Sequence, residues 1–247
     1  MARTCRATSC SLAFLGFLSH KARRQLGSQR MFDATTARRL MVDGQIRTAD
    51  VTDAALLDAM LTIPREQFLP ATLASLAYLD ADLPIGDGRA LLRPMVLAKL
   101  LQAAHVRPGE RLLDVGCATG YATAILARLG ASVVGLEENP DLAAAAKAAL
   151  AAVGAANAEV VVGSLVAGWP GGGPYDGILL NGAAEVLPEA FAGQLKPEGW
   201  LIGVGGHPPA CKGMIYRVSE GSLVGRPLFD AAAALLPGFK AVPTFVF

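Results

Sequence analysis

Residues 112–121 read LLDVGCATGY, and the two residues after that tyrosine continue into an apolar-periodic run, YATAILARLG. An apolar strand ending on Asp114 and Val115, a turn carrying Gly116 and Gly120, and a helix opened by Tyr121 make the first crossover of a doubly wound sheet. The downstream chain repeats the rhythm. SVVGLE, AEVVVG, YDGILLN and GWLIGVG read as strands, and PDLAAAAKAALAAVG and LPEAFAGQL as the helices between them. That alternation predicts an α/β class: a mostly parallel, Rossmann-like sheet with helices on both faces. MIYRVSE and AVPTFVF, near the end, read as late strands and one antiparallel addition at the sheet edge.

Upstream, TTARRLMVDGQIR, TDAALLDAMLTI and PATLASLAYL have helical spacing interrupted by Pro64, which predicts a helical cap. LPIGDGRALLRP then reads as a loop, with Pro94 placed to open the next helix. The expected organisation is a basic leader over 1–30, a helical cap and substrate loop over 31–92, and a ligand-binding core over 93–247. The leader holds six basic residues and no acid, against a net charge of +1 for all 247 residues, so the rest of the chain is mildly acidic. An acidic body is a poor partner for phosphate backbones, and nucleic acid is not the expected ligand. Arg- and Ser-containing leaders also serve as targeting segments, but this one lacks a small-x-small cleavage site and reads as an extension preceding Met31.

The four cysteines form no CxxC pair and the three histidines are scattered, so neither a metal site nor a disulfide framework is expected. A reducing, cytoplasmic setting follows. The apolar run Leu12 to Leu18 is too short to span a bilayer of roughly 20 helical residues.

The spelling of the turn selects its ligand. A pyrophosphate-binding turn reads G-x-G-x-x-G; here Asp114 stands two residues before Gly116, with Ala118 and Gly120 following. A carboxylate in that place repels phosphate and attracts an ammonium or sulfonium group. Glu137 closes the next strand, where its two oxygens suit the hydroxyls of an unphosphorylated ribose. A cationic, ribose-bearing ligand meets both demands, and S-adenosyl-L-methionine is such a molecule.

With these residues in view, the chain resembles the S-adenosylmethionine-dependent methyltransferases and, among them, the protein-L-isoaspartate O-methyltransferase family. MVDGQIR, IPREQFLP, AYLDADLPIGDG, LLDVGCATGYATAILA, VVGSLVAGWP, PYDGILLNGAAEVLP and QLKPEGWLIGVGG follow that family's order and spacing. The resemblance implies methyl transfer to a carboxylate of isoaspartyl residues in damaged proteins. It places Asp114, Gly116, Ala118, Gly120, Glu137, Ser164, Leu165 and Asn181 around the cofactor. It also implies a protein or peptide substrate near Arg89, Leu92 and Arg93.

Two departures stand out. Where the family carries Gln-Thr-Ile-Ser, with the Ser regarded as the active-site hydroxyl, this chain has Arg89, Ala90, Leu91 and Leu92. Where the family leads one to expect an Asp near the adenine, it has Ser164. Arg89 and Arg93 are placed to clamp an anionic substrate, or else are plain loop and helix-start residues. Asn181 is not followed by Pro-Pro-Tyr, so the aromatic platform used on flipped bases is missing. Three functions therefore stay open: isoaspartyl methylation, methylation of a different anionic substrate, and a cofactor-binding adaptor without catalysis.

Overall fold

A computed structural model of the chain describes residues 33–241. The basic leader and nearly all of AVPTFVF lie outside them. The described chain begins with α1 (Ala34–Met41), whose last residues pass into a π-helical turn over Val42–Ile46. Helix α2 (Ala54–Thr62) is capped by Asp53, whose side chain accepts from the Leu56 amide. Ile63 and Pro64 end it in extended backbone.

Between the cap and the sheet lies a hairpin in place of the expected loop. Strand β1 (Leu83–Gly86) pairs antiparallel with β2 (Arg89–Leu91) across Asp87 and Gly88, both at positive φ. Asp-Gly with positive φ at both residues is a hairpin turn signal. Helix α3 (Pro94–Ala104) follows, opened by Pro94 at its first residue.

The sheet has seven strands in the order β5-β4-β3-β6-β7-β8-β9. They are β3 (Arg111–Val115), β4 (Ser132–Glu137), β5 (Ala158–Val162), β6 (Tyr175–Ala184), β7 (Leu195–Gly205), β8 (Lys212–Ser219) and β9 (Ser222–Asp230). The first five in spatial order are parallel, and β8 and β9 run antiparallel at the far edge. The edge is thus a two-strand meander. SLVGRPLFD, whose Gly and Pro mask strand character in the sequence, supplies β9.

Helices α4 (Tyr121–Arg128) and α5 (Pro140–Ala152) form the crossovers after β3 and β4. The buried apolar residues of all five α-helices join one core cluster. The opposite face, built on Leu113, Val115, Val134 and Leu136, is covered differently. There the stretch LPEAFAGQL forms a short 3-10 helix over Glu189–Gln194. Phe191 from that turn stacks on Phe239 at 6.1 Å, closing the cluster. The sheet therefore buries both faces, as parallel strands require. Alternation along β3 sends Leu112 into one cluster and Leu113 and Val115 into the other.

Candidate cofactor site

The carboxyl ends of β3 and β4 meet at the turn 116–120, where the strand order reverses toward β6. Gly116, Ala118 and Gly120 all adopt positive φ, at 75°, 53° and 91°. Glycine takes that conformation freely, whereas Ala118 bears a Cβ cost there. Its amide offsets part of that cost by donating to Glu137 Oε2 at 2.8 Å. Gly120 also has a packing reason: a Cβ would sit 3.3 Å from the Ala146 methyl.

Asp114 is wholly buried. Its Oδ2 accepts from the Thr123 hydroxyl at 2.6 Å, while Oδ1 has no partner among the described residues. Burial pushes the carboxyl up to about 7, opposed by the hydrogen bond from Thr123. A buried acceptor without a donor is costly, and it is answered by a ligand that brings one. Thr123 was legible only in retrospect: it falls on the first turn of α4, on the side that faces β3.

Glu137 is buried as well, and its carboxylate is already engaged. Oε1 accepts from the backbone amides of Glu138 and Asn139 at 2.9 and 3.2 Å. Arg89 Nη1 then lies 2.8 Å from Oε1 and 3.0 Å from Oε2, while Nη2 donates to the Gly116 carbonyl at 2.7 Å. Arg89 is thus not an exposed loop residue; only 4% of it is accessible. The residue named from the sequence for substrate reaches the two residues named for cofactor.

Arg93 remains half-exposed at the start of α3, with its amide donating to Asp82 Oδ1 at 2.8 Å and its Nε 3.4 Å from the same oxygen. Leu92, beside it, is buried in the helical core cluster. Its carbonyl accepts from Arg65 Nη2 at 2.8 Å. Arg65 is fully buried, donates through Nε to the Ala77 carbonyl and lies over the Tyr121 ring at 4.7 Å. The sequence reading missed Arg65, since IPREQFLP does not reveal that its arginine turns inward.

Asn181 and Gly182 sit at an irregularity near the end of β6. The segment after β9 returns there. Ala183 donates to the Ala234 carbonyl at 2.8 Å and accepts from the Leu236 amide at 2.9 Å. The Leu236 side chain lies so close that a Cβ on Gly182 would meet it at 2.8 Å. Ser164 is exposed just past β5, and Leu165 is buried in the second core cluster. The described residues contain no group of three metal-ligating side chains and no helix long and apolar enough to cross a membrane.

Comparison with known proteins gives a consistent answer. Residues 36–210 match the family model for protein-L-isoaspartate(D-aspartate) O-methyltransferase. The chain is 43% identical over 175 residues to a protein-L-isoaspartate O-methyltransferase of Methylorubrum extorquens, covering 71% of this chain and 76% of that one. It is 45% identical over 172 residues to the Methylorubrum populi counterpart, covering 70% and 80%. A solved protein-L-isoaspartate O-methyltransferase superposes with a TM-score of 0.71 at 25% identity, over 81% of this chain and 66% of that one. A Plasmodium falciparum protein provisionally assigned to the same enzyme class, solved in complex with S-adenosyl-L-homocysteine, has a TM-score of 0.69. At 21% identity, over 81% of this chain and 97% of that one, it speaks for the fold alone. The chain belongs to the protein-L-isoaspartate(D-aspartate) O-methyltransferase family.

Proposed function

We propose that this protein is an S-adenosyl-L-methionine-dependent O-methyltransferase that esterifies a carboxylate of isoaspartyl residues in damaged proteins. The observation that carries the reading is the pair of strand-end acids, Asp114 and Glu137, flanking a left-handed turn in a chain of this family. The donor set fits the cofactor's chemistry. The unpartnered Asp114 Oδ1 suits an ammonium group, and Glu137 suits hydroxyl donors once Arg89 is accounted for. Gly116, Ala118 and Gly120 supply the turn, and we assign Ser164, Leu165 and Asn181 to the cofactor's surroundings on the family resemblance.

The cofactor supplies an electrophilic methyl group on a sulfonium. A carboxylate is ionised at neutral pH, so the protein needs no base to activate it. Holding the carboxylate oxygen in line and excluding water supply the catalysis. Arg93, half-exposed beside Leu92, is the cation we assign to the substrate's anionic group. Arg89 is paired with Glu137 here and is not assigned that task. A protein substrate, a cytoplasmic setting and no role for nucleic acid complete the reading.

Alkaline treatment of the methylated product tests the carboxyl assignment, since a methyl ester releases methanol and an N-methyl group does not. A second reading, methylation of another anionic compound, would rest on Leu92, the apolar residue that stands where the family carries a hydroxyl. Transfer to small carboxylates with none to isoaspartyl peptide would establish it.

A further inference from the structure

We infer that Arg89 and Leu236 form a plug that competes with the S-adenosyl cofactor for its own cleft, so that the cofactor enters only when the Arg89–Glu137 pair opens. The inference rests on the cofactor reading above.

Glu137 has no acceptor capacity to spare. A carboxylate offers about four lone-pair sites. Glu137 already accepts from three backbone amides, those of Ala118, Glu138 and Asn139, and from Arg89 on both oxygens. No site is left for a pair of ribose hydroxyls. The amides are fixed by the turn and by the start of α5, so the guanidinium is the only one of the four donors that can leave.

A Cβ built on Gly116 would lie 2.8 Å from Arg89 Nη2 and 2.8 Å from Leu236 Cδ2. These two side chains therefore cover the face of the turn that glycine keeps open. What remains between Arg89, Leu92, Asn181 and Leu236 is a cavity of about 10 Å³. On the other side of Arg89 lies an open groove of about 400 Å³, lined by Asp87, Glu137, Asn139 and Pro237. Ligand sites for molecules of this size take roughly 300 to 1,000 Å³. Arg89 is the wall between a groove large enough for part of the cofactor and an inner end with no room.

Both parts of the plug stand outside the seven-stranded sheet. Arg89 belongs to a separate two-stranded hairpin, an element of marginal stability by itself. Leu236 belongs to a strap held to β6 by a bridge between Ala183 and Leu235 and a few backbone hydrogen bonds, with its far end anchored by Phe239 against Phe191. Either can move without breaking the sheet. Cofactor affinity is then reduced by the fraction of molecules that are open.

Calorimetric titration of S-adenosyl-L-homocysteine into the full chain, Arg89→Gln and Leu236→Ala tests this. Both substitutions remove bulk from the plug, and Leu236→Ala leaves the buried ion pair intact. Arg89→Gln is expected to bind at least tenfold more tightly than the unsubstituted chain, and Leu236→Ala at least threefold. Equal affinity in all three, or weaker binding in Arg89→Gln, overturns the plug while leaving the cofactor site standing. If Arg89→Gln does not fold, Leu236→Ala decides: threefold tightening supports competition and unchanged affinity overturns it. Absence of binding to all three folded proteins at millimolar ligand overturns the cofactor reading itself, and the plug with it.

Discussion

Arg89 and Glu137, 48 positions apart in sequence, form an ion pair in which one nitrogen, Nη1, lies 2.8 and 3.0 Å from the two carboxylate oxygens, with side chains 4% and 1% accessible. Burying two charges is expensive unless each is fully hydrogen-bonded. Here that condition is met: the Gly116 carbonyl takes the second Arg89 nitrogen, and backbone amides take the remaining carboxylate lone pairs. The pair ties the hairpin to the ends of β3 and β4.

Removing one partner strands the other. Glu137→Gln should lower unfolding free energy by roughly 3 to 5 kcal/mol, the range for breaking a buried pair. Combining it with Arg89→Gln should recover most of the loss, because neither charge then remains. Urea denaturation of the two single variants and the double variant reads this directly. A Glu137→Gln protein within about 1 kcal/mol of the unsubstituted chain would show the pair to be energetically idle.

Asp114 gives a pH signature. Its carboxyl is raised by burial from 3.8 to about 7, so the folded chain holds a proton that the unfolded chain releases across that interval. The sign follows: this group's destabilisation is absent below about 3.8, grows as pH rises, and is complete above about 7. Its full size is as much as about 4 kcal/mol at 1.36 kcal/mol per pH unit. Asp114→Asn should abolish that slope between pH 4 and 7. Cofactor binding moves the opposite way, since a cation needs the ionised acid: affinity for S-adenosyl-L-homocysteine should fall as pH drops from 8 to 6. An affinity that is flat over that range, or a slope kept by the Asn variant, would remove Asp114 from the site.

Arg65 holds two carbonyls, those of Ala77 and Leu92, while wholly buried. Desolvation lowers its pKa, with Tyr121 opposing. Arg65→Met keeps the volume and leaves both acceptors without donors, at about 1 to 3 kcal/mol each. The expected loss is roughly 2 to 4 kcal/mol by thermal or urea unfolding, together with faster amide exchange around Leu92 and Arg93. Unchanged stability would mean that water replaces the guanidinium without cost.

Leu92 bears on turnover. Its apolar side chain donates nothing to a substrate, and a hydrogen bond felt in the transition state is worth about ten- to a hundredfold in rate. Leu92→Ser, alone and with Ala90→Thr, should raise kcat/KM on an isoaspartyl peptide tenfold or more while lowering Tm, because Leu92 packs in the core. Strong activity that neither change improves would show that the hydroxyl is dispensable in this protein.

The alternation of strands and helices and the position of the turn were legible because β3 and β4 each combine a short apolar run with an acid at the end, and the helices between them keep a 3.6-residue period. Asp114 and Glu137 could be named from spacing for the same reason. What escaped is non-local. The inward turn of Arg89 depends on a hairpin whose Asp-Gly signal sits inside a stretch that otherwise reads as loop. The strap over β6 comes from AAAALLPGF, which announces neither strand nor helix and gains its place by bonding to Ala183 and Glu185 and by burying Leu236 and Phe239. LPEAFAGQL carries a helical apolar pattern, yet Pro188 at one end and the start of β7 at the other leave length for only a 3-10 turn. Leu92 and Ser164 were visible as departures, but whether each is buried or exposed depended on tertiary packing.

The central claim is that this chain methylates isoaspartyl carboxylates with S-adenosyl-L-methionine. The most direct measurement follows transfer of a labelled methyl group from that donor to a peptide containing one isoaspartyl residue, beside the same peptide with an ordinary aspartyl residue. The account predicts alkali-labile label in the isoaspartyl peptide only, with an equal amount of S-adenosyl-L-homocysteine released. Full occupancy by the cofactor with no label in the isoaspartyl peptide, or equal labelling of both peptides, would contradict it.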